Sequence, residues 1–123
     1  DIVAYNPHSK HLVHLEPSVD AHSWKIREQR FSKKFSLGTK YIFAEVFTWL
    51  DPKTPVEQIA VLVFHPKGRD TLAGGKIVSI DEFIFEIKQK IKDRGIAAKS
   101  AIPEQYPLLR TIQLVENGYY KSL

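Results

Sequence analysis

Apolar positions at the start of the chain fall in two short runs separated by turn chemistry. Ile2-Val3-Ala4-Tyr5 reads as a strand, Asn6-Pro7-His8-Ser9-Lys10 as a turn, and residues 12–15 as the returning strand of a hairpin. A helical period follows over residues 24–35. Trp24, Phe31 and Phe35 fall on one side of a helical wheel, and Arg27, Arg30, Lys33 and Lys34 cluster opposite. Asp20 or Ser23 is placed to cap this helix, and Gly38 to stop it.

Residues 41–50 are rich in aromatic and β-branched side chains and predict a strand, followed by the loop Asp51-Pro52-Lys53-Thr54-Pro55. The continuous apolar run over 59–64 predicts a strand buried on both faces. A Gly-rich, basic connection over 65–76 leads to Ser79-Ile80-Asp81-Glu82, a capping box. The helix it opens carries the stripe Phe83, Ile84, Ile87 and Ile91 and ends at Gly95. After a turn around 103–107, residues 110–115 predict a last strand. The order is β-β-α-β-β-α-β, an α/β fold whose central mixed sheet is flanked by helices.

At 123 residues the chain is long enough for one domain with a real core, and 43% hydrophobic with 26% charged residues is an ordinary globular balance. No apolar run approaches the roughly 20 residues that span a bilayer. The opening Asp-Ile-Val has no signal-peptide character, so a cytoplasmic protein is expected. Methionine is absent, as in a fragment lacking its first elements. Zero cysteines removes disulfides, thiol nucleophiles and thiolate metal sites. The formal charge of +4 fits an anionic partner without demanding one.

The chemistry-bearing pattern is at the hairpin. Asp1 leads one strand and Glu16 ends the next. Residues two apart on a strand share a face, so His14, Glu16 and Ser18 point the same way. Two carboxylates converging at strand ends suit Mg²⁺ or Mn²⁺, an arrangement that acts on phosphodiesters. Asp1, fourteen intervening residues, Glu16 and then a basic helix resemble the PD-(D/E)xK nuclease superfamily, the fold of many restriction endonucleases and resolvases. The resemblance implies a restriction-endonuclease-like fold and a metal-dependent DNA endonuclease in which Asp1 and Glu16 ligate the ion. The family lysine falls at Ser18, so Lys25 or Lys33 on the following helix would substitute for it. Pro17 removes a backbone donor, which implies that the strand ends or bulges at Glu16. Asp1 and Glu16 on opposite sheet faces, or a buried salt bridge occupying Glu16, would remove the metal reading.

DNA contacts are expected from Arg27, Arg30, Lys33 and Lys34, joined by Lys67, Arg69 and Lys76 of the basic connection. The same departures at Pro17 and Ser18 favour an alternative, a catalytically silent domain of this fold that binds nucleic acid or protein. Plainer readings exist for each feature: strand-end carboxylates in water, a solvated helix face, or an α/β interaction domain unrelated to nucleases. His8, His11 and His14 are spaced by three, which on a strand sends His11 and His14 to opposite faces and excludes one shared zinc ion. The stretch HPKGRDTLAGGK fails as a phosphate loop because Ile77 stands where Ser or Thr must follow the lysine. Nucleases that cut both strands are often dimers, so a homodimer with residues 41–49 at its interface is a further expectation, as is their burial in the core.

Overall fold

A computed structural model describes residues 1–120. Its contacts group into two compact units, residues 1–80 and the chain from Asp81 onward. The first unit holds a five-stranded mixed sheet in the order β1-β2-β3-β5-β4, so the α/β class holds. Strands β1 (Ile2–Asn6) and β2 (His11–Ser18) form the expected antiparallel hairpin, with Ile2 opposite Leu15 and Asn6 opposite His11. The turn is an Asx turn in which the Asn6 side-chain oxygen accepts from the backbone N–H groups of His8 and Ser9. Strand β3 (Val56–Leu62) runs parallel to β2, and β5 (Gly75–Ser79) runs parallel to β3. The short β4 (Thr71–Leu72) closes the far edge antiparallel to β5.

Between β2 and β3 the chain crosses over through helix α1 (Trp24–Tyr41). Phe31 and Phe35, both fully buried, pack with Ala60, Leu62, Leu72 and Ile77 to form the core beneath the helix. The alternation of β2 then assigns Leu12, His14, Glu16 and Ser18 to the face under α1, and His11, Val13 and Leu15 to the other.

Four expectations are corrected in this unit. Helix α1 does not stop at Gly38. It continues to Tyr41 and into a π-helical turn, Ile42–Val46, closed by Phe47 N–H donating to the Ile42 carbonyl. Ile42 is completely buried and extends the stripe of Phe31 and Phe35. No strand therefore forms over residues 41–50, because the helical period of the buried positions overrides local β propensity. Beyond the π turn, Phe47 and Trp49 pack against Tyr5 of β1 in tilted and edge-on contacts, which gives these aromatic residues an intramolecular use.

Strand β2 neither ends nor bulges at Glu16. Its register with β3 is one for one from Leu12–Val56 to Ser18–Leu62, passing through Pro17–Val61. Pro17 is tolerated because β1 pairing begins at Leu15, so this end of β2 is an edge on the β1 side. The basic connection also contains structure, a β4–β5 hairpin whose two-residue turn places Ala73 and Gly74 at positive φ.

The helix predicted from the capping box is α2 (Ile80–Arg94), but Ile84 in its proposed stripe is exposed. The last strand is replaced by α4 (Pro107–Glu116), preceded by the short α3 (Ala97–Ser100). Pro107 sits in the first turn, where its missing N–H costs nothing. Gln113 is fully buried: it accepts from Ile102 N–H and donates to the carbonyls of Gly95 and Ser100. A helix presents that amide to three backbone groups at once. Consequently the observed order departs from β-β-α-β-β-α-β after the first helix.

Candidate functional site

The face of β2 under α1 is where apolar residues belong, and it carries His14 at 1% and Glu16 at 3% exposure. Burying an unpaired carboxylate is costly, so each of its oxygens needs an account. Oxygen Oε1 accepts from Lys34 Nζ on α1. Oxygen Oε2 is buried with no hydrogen-bond partner among the described residues, and so is His14 Nδ1. His14 Nε2 is 3.6 Å from Glu16 Oε2, too far for a hydrogen bond. Asp1 completes the cluster: one ligand atom from each of Asp1, His14 and Glu16 lies within 4.8 Å of the others.

This cluster opens into a depression of about 430 Å³ lined by Asp1, Glu16, Lys34, Leu37, Gly38 and Tyr41. Of the cluster, exposed Asp1 and buried Glu16 line the depression, and His14 is buried beside Glu16. Hence the hairpin brings together the two acids that the sequence singled out. Lys34 occupies Glu16, the condition set against a metal site, but only by one oxygen and from a side chain that is 45% exposed. The other oxygen, Oε2, is left beside His14 Nε2 in the cluster that Asp1 completes. Two carboxylate oxygens with one free on a buried base are a donor set that fits a hard divalent cation.

His14 is held by packing. A Cβ built on Gly38 would stand 2.4 Å from His14 Cε1, so glycine is required here by the close approach of the ring to the helix. Phe35 meets the ring edge to face at a centroid distance of 5.6 Å. Burial pulls the imidazole below its ordinary pKa, against the opposing pull of the Glu16 carboxylate. His11 lies on the opposite sheet face and pairs with Glu57.

The other predicted catalytic residues are elsewhere. Ser18 shares the face of Glu16, but its hydroxyl accepts from Asp20 N–H and serves the turn that follows β2. Lys33 is about 200° around α1 from both Phe31 and Phe35 and points away from the sheet. Lys25 is half a rotation and about 13 Å along the helix from Lys34. Neither reaches Glu16, so the lysine at the depression is Lys34, which sequence reasoning placed only among the DNA contacts. The available signal was helical: Lys34 is one residue from Phe35 and four before Gly38, hence beside the buried stripe.

Most of the basic arc is committed to local partners. Arg30 pairs with Asp20 at 2.9 Å, and the backbone N–H of His22 with that guanidinium holds the Asp20 carboxyl below its usual range. Arg27 donates to the His22 carbonyl and lies over the Trp24 ring at 4.6 Å. Arg69 approaches the same ring at 4.5 Å, tying the basic connection to α1. Glu28 adds a second tie by accepting from Ala73 N–H. Lys33 makes no hydrogen bond or ion pair among the described residues, and Lys67 is exposed in the same connection. Lys76 pairs with Ile59 and alternates with buried Ile77, so it faces away from α1 and from the depression.

Compared with known proteins, the chain matches no family model, no curated protein and no solved structure. No helix among the described residues is long and apolar enough to cross a membrane.

Proposed function

We propose that this chain is a metal-dependent DNA endonuclease domain of the PD-(D/E)xK type, with a restriction-endonuclease-like fold, acting on phosphodiester bonds. The observation that carries the reading is Glu16 Oε2, a buried and unpartnered carboxylate oxygen that converges with Asp1 at the base of an open depression. The antiparallel hairpin, following helix and parallel third strand also support the resemblance.

Asp1 and Glu16 would hold Mg²⁺ or Mn²⁺, which when bound neutralises phosphate charge and lowers the pKa of a water. Lys34 fixes the Glu16 carboxylate through one oxygen and leaves the other for the ion. Its half-exposed side chain lines the depression, where the ammonium can offset the charge of a scissile phosphate. Leu37 and Tyr41 give the depression its helical wall. Lys33 and Lys67 are exposed cations suited to backbone phosphates.

The test is conversion of supercoiled plasmid by the complete natural chain with Mg²⁺ or Mn²⁺. Lys34→Ala is expected to slow cutting by about 10²-fold, the cost of one well-placed donor to a charged transition state. Lys25→Ala and Lys33→Ala should stay within about threefold, since neither side chain faces the depression. A second reading, the silent domain, is favoured by the loss of the family lysine to Ser18, whose hydroxyl serves a turn. DNA binding without cutting under any divalent metal would establish it.

A further inference from the structure

The nitrogen in the cluster distinguishes this site from a pair of carboxylates. His14 cannot swing away, because Gly38 and Phe35 confine its ring and its neighbours in the sheet are Val3 and Gln58. Its Nε2 faces Glu16 Oε2 at 3.6 Å, beyond hydrogen-bond reach, and that buried oxygen has no hydrogen-bond partner among the described residues. Gln58, the polar side chain beside it on β3, donates instead to the Thr39 hydroxyl. A buried imidazole nitrogen and a buried carboxylate oxygen therefore lie side by side, with exposed Asp1 completing the cluster.

The dimensions suit one ion. Ligands on opposite sides of an ion with bonds of about 2.1 Å stand about 4.2 Å apart. The atoms here all lie within 4.8 Å, so a closure of about half an ångström completes the shell. Asp1, which is exposed, can supply that movement.

We infer that His14 is a third protein ligand and makes the site select Mn²⁺ over Mg²⁺, an inference that rests on the divalent-cation reading of Asp1 and Glu16. Mg²⁺ favours oxygen donors and retained waters. An imidazole nitrogen favours a transition-metal ion, and Mn²⁺ accepts it alongside two carboxylates. Orientation comes from packing here, since Nδ1 has no hydrogen-bond partner among the described residues to fix the ring.

The test uses the complete natural chain, stripped of metal, with Mn²⁺ and Mg²⁺ as probes. Calorimetric titration is expected to show Mn²⁺ binding about tenfold or more tighter than Mg²⁺. Electron spin-echo spectroscopy of the Mn²⁺ form should show coupling to a single imidazole nitrogen. His14→Phe keeps a ring against Gly38 and Phe35, and should abolish that coupling and bring the Mn²⁺ to Mg²⁺ ratio near one. If that variant fails to fold, the spectrum of the unaltered chain still decides. Mn²⁺ bound through Glu16 without nitrogen coupling would overturn the role of His14 and leave the carboxylate site standing. Coupling that persists in His14→Phe would overturn it as well. No binding of either ion would overturn both readings together.

Discussion

Replacing Gly38 by alanine is expected to destabilise the protein by about 1–3 kcal/mol, the usual cost of overpacking. The sign is the informative part. In a solvent-facing helix this change stabilises by up to about 1 kcal/mol, because alanine is the better helix former. Here the added carbon would stand 2.4 Å from Cε1 and 2.9 Å from Nδ1 of His14, inside van der Waals contact. His14 must move, and with it the edge presented to Glu16. In a His14→Ala background the obstruction is gone, and Gly38→Ala should become neutral or stabilising. Urea unfolding of the four chains measures this directly. The same sign in both backgrounds would show that Gly38 is not shaped by His14.

Glu16→Gln is expected to slow plasmid cutting by about 10³-fold while leaving the fold and DNA binding nearly unchanged. Glutamine keeps the size and one acceptor oxygen but removes the charge that holds the cation, and metal-based charge stabilisation is worth several kcal/mol. The structural cost is small. Lys34 is 45% exposed, so water replaces the lost carboxylate at its ammonium. Cleavage rates, thermal unfolding and binding to a labelled duplex separate the three effects. Loss of folding together with cutting would mean that Glu16 is a structural partner of Lys34 and nothing more.

The hairpin and its two acids could be read from sequence because strand alternation and turn chemistry are local. Position within the sheet is not local. Nothing in residues 1–21 says that the face carrying His14 and Glu16 lies beneath a helix, so a carboxylate expected at a solvated strand end is instead buried. The same gap misplaced the lysine. Lys33 and Lys34 are adjacent in sequence yet about 100° apart on the helix, and only contact with β2 distinguishes them. In sequence Gly38 reads as a stop signal, because helices often end at glycine. Its purpose here is to admit an imidazole, a reason that exists only once α1 lies on β2. The segment over 41–50 shows the opposite weighting. Its composition favours a strand, but Ile42 falls on the buried stripe of α1, and burial decided. Gln113 had no sequence signal at all, since its three backbone partners are residues brought together by folding.

The central claim is that Asp1 and Glu16 hold one divalent cation. Crystals of the complete natural chain soaked in Mn²⁺ and measured for anomalous scattering locate such an ion without reference to activity. The account predicts one strong peak within about 2.0–2.3 Å of an Asp1 oxygen and of Glu16 Oε2, with Lys34 still on Oε1. Saturating Mn²⁺ with no peak between Asp1 and Glu16 would contradict it.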